Sequence, residues 1–201
     1  MPELFFDTET TGIFPRNASP LDLEAFSKSR MVSIAWTLKD ENTIYSQHYY
    51  IVKNEITEGE IGASHIHGID REMVNKYGQD VMSVLETFLA DCEASNMIIA
   101  HNLDFDIKII KSELYRLGLS AEVEYMKNKS KLCTMKSTTE FVGIKTHYGY
   151  KWPKLIELHN RLFGKDFENA HNALADVNAT VDCYYELLRI GFYFLKSDLF
   201  T

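Results

Sequence analysis

Two carboxylates follow directly on an apolar run: residues 3–14 read ELFFDTETTGIF, with Asp7 and Glu9 behind Leu4, Phe5 and Phe6. In a strand, residues i and i+2 share a face. Asp7 and Glu9 therefore project together from the end of a strand expected over residues 4–8. Carboxylates held that close repel unless something positive sits between them. A set of oxygen donors suits a hard cation such as Mg²⁺ or Mn²⁺. Taken alone, the pair is better read as a solvated strand end, so the chemistry depends on what else the chain brings to it.

Two further stretches carry the same residue types. AHNLDFDIKII, residues 100–110, reads as a buried strand running into a helix with Asp104 and Asp106 in its first turn. A step of two residues turns about 200° on a helix, so these two cannot face one site. One of them can serve merely to complement the helix N-terminus. AHNALADVNAT, residues 170–180, holds His171 and Asp176. Five residues turn about 140° on a helix, so Asp176 is expected on the helix and His171 on the loop before it. A loop histidine aimed at carboxylates suits a general base, since imidazole titrates in the physiological range. A helix cap or a solvated surface position is the plainer reading of His171.

The elements that must position these groups can be read from periodicity. Residues 31–38 and 43–52 are rich in β-branched and aromatic side chains and flank turn residues 39–42, which predicts a hairpin. Residues 81–92 repeat apolar side chains at helical spacing. Residues 96–100 form an apolar strand, and a helix through Leu117 follows, closed by Gly118. Residues 13–30 and 120–152 read as loops, with one turn of helix near residues 23–26 and a strand near 131–134. Pro153 is expected to open a helix that Gly164 closes, and a last helix ends at Gly191. A hairpin followed by alternating strands and helices predicts an α/β fold with a mixed sheet.

Bulk properties exclude several classes. With 201 residues, 45% apolar and 25% charged, the chain has the composition of one ordinary globular domain. The domain is expected over residues 1–191, with a tail over 192–201. No apolar run approaches the roughly 20 residues of a membrane helix, and no basic-then-apolar leader is evident, so a cytoplasmic protein without a membrane partner is expected. Cys92, Cys133 and Cys183 show no metal-binding spacing and are expected to be reduced. The net charge of −8 argues against a nucleic-acid partner, but residues 127–154 hold seven lysines against one acid.

DTETTG, HNLDFD and HNALAD, in this order, resemble the three motifs of the DEDDh 3′–5′ exonuclease family, the group that includes the proofreading epsilon subunit of bacterial DNA polymerase III. The resemblance spans residues 3–190. It implies an RNase H-like mixed sheet of about five strands flanked by helices. It selects Asp106 over Asp104 and groups Asp7, Glu9, Asp106 and Asp176 as ligands of two Mg²⁺ or Mn²⁺ ions. It makes His171 the base that deprotonates the attacking water. The implied reaction hydrolyses nucleic acid, single-stranded DNA foremost, from its 3′ end to nucleoside 5′-monophosphates, in DNA replication or repair.

Substrate contacts are expected from Thr10, Thr11 and Gly12 on the turn after the acid pair. His67, in a resembling HIHGI element, is expected with Asn102 and Phe105 to line the pocket. Core packing is the alternative for Phe105, and helix N-capping for Asn102. Lys127, Lys129 and Lys131, followed by Phe141, Tyr148, Tyr150 and Trp152, suggest a channel for single strands, cations for phosphates and rings for bases. An exoribonuclease of the same fold and a non-catalytic domain of a replication complex are the rival readings. A polymerase or a sliding clamp is the expected protein partner. Residues 197–200, SDLF, resemble clamp-docking peptides, and docking of the tail on its own core is the alternative.

Overall fold

The computed structural model describes residues 2–53 and 61–193. Strands β1 (Glu3–Thr10), β2 (Met31–Lys39) and β3 (Ile44–Lys53) form an antiparallel meander. The β2–β3 turn is held by Asp40, whose Oδ1 accepts the N–H groups of Asn42 and Thr43 at 3.0 and 2.9 Å. The two-residue β4 (Gln79–Asp80) adds parallel to β3, while β5 (Met97–Ala100) adds parallel to β1 and β6 (Ser130–Cys133) parallel to β5. The sheet thus has six strands in the order β4-β3-β2-β1-β5-β6. The predicted hairpin is observed, and the sixth strand is the short β4.

Helices α1 (Ser64–His67), α2 (Arg71–Tyr77) and α3 (Val81–Ala94) lie between β3 and β5. Helices α4 (Leu103–Arg116) and α5 (Ser120–Lys127) connect β5 to β6. After β6 come the short α6 (Thr134–Ser137) and α7 (Thr139–Val142), a ribbon of β7 (Lys145–Thr146) and β8 (Gly149–Tyr150), then α8 (Leu155–Phe163) and α9 (Ala173–Arg189). Residues 120–152 are therefore more regular than their composition suggests. Residues 13–30 form successive turns without the expected helical turn. Helix α8 begins two residues after Pro153, because the Glu157 carboxylate reaches back to the Lys154 N–H at 2.8 Å and caps it there.

Strand alternation divides the core. Leu4 and Phe6 pack with α3 and α4 on one face, where Phe6 meets Phe88 edge-on at 5.4 Å. Phe5 packs with α9 on the other, 5.3 Å from Tyr184. Each of these fully buried rings contributes roughly 1.5–3 kcal/mol. The strand is thus clamped from both sides just before Asp7. All nine residues of β2 are buried, as expected for a strand covered on both faces. Arg30 ends the long loop by pairing with Glu113 of α4 through two bonds of 2.8 and 3.0 Å, which bolts that loop to the helix that carries Asp106.

The packed body continues past Gly191. Phe192 and Tyr193 join the α9-side core, Phe192 5.2 Å from Phe141 and Tyr193 2% exposed, so the first two residues of the expected tail belong to the fold. The SDLF segment, residues 197–200, lies outside the described residues. Cys92, Cys133 and Cys183 are free thiols, and burial pushes Cys92 up to about 11 and Cys183 up to about 12. No helix among the described residues is long and apolar enough to cross a membrane.

Candidate active site

Asp7 and Glu9 lie within β1 rather than beyond its end, and both face α9. Strand β5 is shorter than β1. Its last paired residues stand opposite Leu4 and Phe5, so the flank of β1 from Asp7 onward is not covered by it. Asp106, in the first turn of α4, enters through that opening. Its Oδ1 accepts the Thr8 N–H at 3.2 Å and the Thr8 hydroxyl at 2.7 Å. Asp176, in the first turn of α9, closes the group from the other side. Oxygen atoms of Asp7, Glu9 and Asp176 lie within 4.8 Å of one another.

Asp104 separates from this cluster. It is exposed and pairs with Lys136, whereas Asp106 is 3% exposed. The two-residue helical step of about 200° sends the two acids of α4 to different surroundings.

Burial and the other three carboxylates push Asp7 well above the usual carboxylate range. Glu9 is pushed to about 8 by burial, then by Asp176 and Asp106. Burial also raises Asp106 to about 7, against the lowering effect of the Thr8 bonds, and Asp176 to about 6. At an effective dielectric constant of 20, two like charges 4 Å apart cost about 4 kcal/mol. That cost exceeds the gain from burying one Phe side chain. Among the described residues no lysine or arginine forms an ion pair with these four acids. Protonation, or a cation in the midst of the cluster, relieves that repulsion.

His171 sits on the loop before α9 with a left-handed backbone, φ 69°, and its N–H donates to Asp176 Oδ2 at 3.0 Å. Asn172 caps the helix by accepting the Ala175 N–H at 3.2 Å. His171 and His67 line one cleft of about 490 Å³. The two imidazoles are not equivalent. His67 is 9% exposed, its Nδ1 accepts the Ile69 N–H at 3.0 Å, and its Nε2 faces the Gly62 carbonyl at 3.2 Å. A carbonyl can only accept, so Nε2 carries the proton and His67 is neutral with both nitrogens engaged. Burial lowers its pKa, which favours that state. His171 is exposed to the cleft.

The expected substrate contacts divide. The hydroxyls of Thr10 and Thr11 donate to the carbonyls of Gly12 and Lys28 at 2.7 and 3.0 Å. They hold the turn to the loop and are not free donors for a nucleotide. Gly12 permits this closure, since a Cβ there would stand 2.8 Å from the Lys28 carbonyl oxygen. Asn102 occupies the N-cap position of α4, but in a left-handed conformation, φ 72°, with no capping bond from its side chain. It lines a second cleft with Phe105, which stacks on Phe14 at 5.0 Å.

Lys127, Lys129 and Lys131 are not brought to the site. They lie at the N-terminal end of β6, level with Glu3 and Met97, at the end of the sheet opposite the carboxylates. Lys127 pairs with Glu124, Lys129 bonds the carbonyls of Glu93 and Ser95, and Lys131 bonds those of Lys127 and Lys129. In the fold these three lysines make local contacts: one ion pair within α5 and carbonyl bonds near the ends of α3 and α5.

Two residues matter that sequence reasoning passes over. Thr8 holds Asp106, and its position between the acids in DTE is the only sign of it. His101 joins the end of β5 to two other segments: its Nε2 faces the Pro153 carbonyl at 2.9 Å and its Nδ1 the Thr134 hydroxyl at 3.0 Å. Pro153 can only accept, so Nε2 is the donor and Nδ1 accepts. Burial lowers His101 to about 4, which keeps this neutral form at physiological pH. The bond fixes Pro153 and so the exposed Trp152 before it.

Residues 4–184 match the sequence model of the family described as Exonuclease (RNase_T). No curated protein sequence matches the chain. Among solved structures, exonuclease I superposes with TM-score 0.70 and 20% identity, over 96% of this chain and 42% of its own. Exonuclease X in complex with 5′-overhanging duplex DNA gives 0.56 and 18%, over 94% and 93%. A 3′-exonuclease bound to a histone mRNA stem-loop gives 0.58 and 14%, over 94% and 64%. The chain thus spans less than half the length of exonuclease I. At these identities the structural likeness establishes a shared fold.

Proposed function

Because the chain belongs to the exonuclease family, we propose that it is a metal-dependent 3′–5′ exonuclease of the DEDDh type. It removes nucleoside 5′-monophosphates from the free 3′ end of nucleic acid, single-stranded DNA foremost, in replication or repair. The observation that carries this reading is the convergence of Asp7, Glu9 and Asp176 within 4.8 Å, with Asp106 held to the same strand by Thr8.

An all-oxygen donor set with raised pKa values and no paired cation fits a hard divalent ion. Asp7, Glu9, Asp106 and Asp176 would hold two Mg²⁺ or Mn²⁺ ions, which when bound supply Lewis acidity and offset charge on the scissile phosphate. Thr8 keeps Asp106 aimed at the cluster from the opposite face of the sheet. His171 receives the proton of the attacking water, and its backbone bond to Asp176 ties it to the ligand set. His67, with both nitrogens occupied, positions the wall of the cleft.

Purified protein in Mg²⁺ is expected to shorten 5′-labelled single-stranded DNA from its 3′ end and release deoxynucleoside 5′-monophosphates. A parallel arm with RNA of the same sequence separates this from an exoribonuclease. A folded protein that releases nucleotide from neither would favour a non-catalytic binding domain.

The raised carboxylates also predict how stability depends on pH. Between the ordinary carboxylate range near pH 4 and about 8, the upper of the raised values, the native cluster keeps protons that the unfolded chain has released. The metal-free fold is therefore expected to lose stability as pH rises through that window. A divalent ion takes the place of those protons, so the rise in melting temperature on adding Mn²⁺ is expected to grow from pH 5.5 to 8. A shift that shrinks with rising pH, or one matched by a monovalent salt control, contradicts the site.

A further inference from the structure

Between the start of α4 and the loop after β1 lies a cleft of about 290 Å³ that combines cations with aromatic rings. Arg16, Lys108 and Lys136 line it together with Phe14, Phe105 and Trp152. Phe105 is the neighbour of Asp106 on α4, so one wall of the cleft is built on the helix that carries a carboxylate of the cluster. Its floor is a stack of three rings: Phe14 stacks on Phe26 at 4.3 Å and on Phe105 at 5.0 Å, which leaves Phe105 as the ring offered to the cleft. Lys108 Nζ stands 5.5 Å from the Phe14 centroid and Lys136 Nζ 5.9 Å from that of Trp152. Asp104, paired with Lys136, is the one acid in the lining, against three cations. Trp152 is 52% exposed, although Pro153 behind it is buried and anchored by His101. An indole held at its root and open to solvent on its face is placed for stacking.

We propose that this cleft binds the unpaired nucleotides next to the 3′ terminus, with Trp152 and Phe105 stacking on bases and Arg16, Lys108 and Lys136 taking phosphates. The assignment rests on the exonuclease reading for its direction, since the strand must end at the carboxylates. A base reaches a side-chain ring only when it is unstacked from its neighbours. The cleft therefore selects an unpaired or frayed end over a closed duplex. It lies away from Lys127, Lys129 and Lys131, which stand at the opposite end of the sheet.

Tryptophan fluorescence tests this directly. The chain has two tryptophans, and Trp36 is fully buried, so a change on binding reports Trp152. The full chain is titrated in EDTA with matched DNA and RNA oligonucleotides, and with a blunt duplex. Saturable quenching is expected with the single strands of at least one sugar and much less with the duplex. Trp152→Ala is expected to weaken single-strand binding about tenfold, the order of one lost stacking contact. Trp152→Phe keeps a ring and restores affinity without the quench. The triple change Arg16→Ala, Lys108→Ala, Lys136→Ala lowers the salt slope by about 0.7 for each phosphate contact removed. Wild-type affinity in Trp152→Ala, or an unchanged salt slope in the triple variant, overturns the cleft. Hydrolysis of the p-nitrophenyl ester of thymidine 5′-monophosphate by the wild type is read separately. Its absence along with all strand hydrolysis defeats the exonuclease reading, while a Trp152-dependent quench still supports the cleft.

Discussion

Asp106→Asn is expected to lower 3′-end hydrolysis by about 10³-fold or more, whereas Asp104→Asn does not reduce it. Metal-assisted charge stabilisation supplies several kcal/mol at the transition state, and each 1.36 kcal/mol is tenfold in rate. Asparagine keeps the shape of Asp106 and can still accept from Thr8, but it removes the charge that a divalent ion requires. Asp104 is solvated and answers to Lys136, so its charge lies outside the cluster. Initial rates on 5′-labelled single-stranded DNA in saturating Mg²⁺ separate the two. The melting shift caused by Mn²⁺ should fall in Asp106→Asn and persist in Asp104→Asn. Equal rates for the two variants, or loss confined to Asp104→Asn, would reverse the choice between these acids.

His171→Asn is expected to lower turnover by about 10²-fold or more, the usual cost of losing a general base, while Mn²⁺-dependent stabilisation largely survives. Asparagine is the better replacement because residue 171 has a left-handed backbone, which asparagine adopts at less cost than alanine. The backbone bond to Asp176 then remains, and only the imidazole is lost. A variant that keeps the metal-linked melting shift and also the wild-type rate would show that the water loses its proton without His171. A variant that loses both would place His171 in the ligand set instead.

The three motifs and most of the framework are legible in the chain because they rest on local rules. Period-two alternation puts Asp7 and Glu9 on one face, and the apolar stripe from Val81 to Cys92 is a helix before any neighbour is known. The helical step alone forbids Asp104 and Asp106 from sharing a site. Which of the two turns inward is a different matter. It depends on β5 ending early enough to leave the Thr8 N–H free for a carboxylate, a fact of sheet register between segments about a hundred residues apart. The lysines mislead for the same reason. Residues 127–154 look like one basic surface, but β6 runs through them and carries Lys129 and Lys131 to one end of the sheet and Lys136 to the other.

By itself the sequence determined the residue types of the site, the order in which strands and helices carry them, and the chemistry that four acids and a loop histidine imply. These follow from backbone periodicity and side-chain charge, which act over a few residues. The tertiary structure decided how Asp106, the acid the motif resemblance selects, is held to β1, that Thr10, Thr11 and His67 are occupied internally, and which cations stand beside Trp152. Those outcomes hang on hydrogen bonds and packing between distant segments, and no local pattern records where such partners meet.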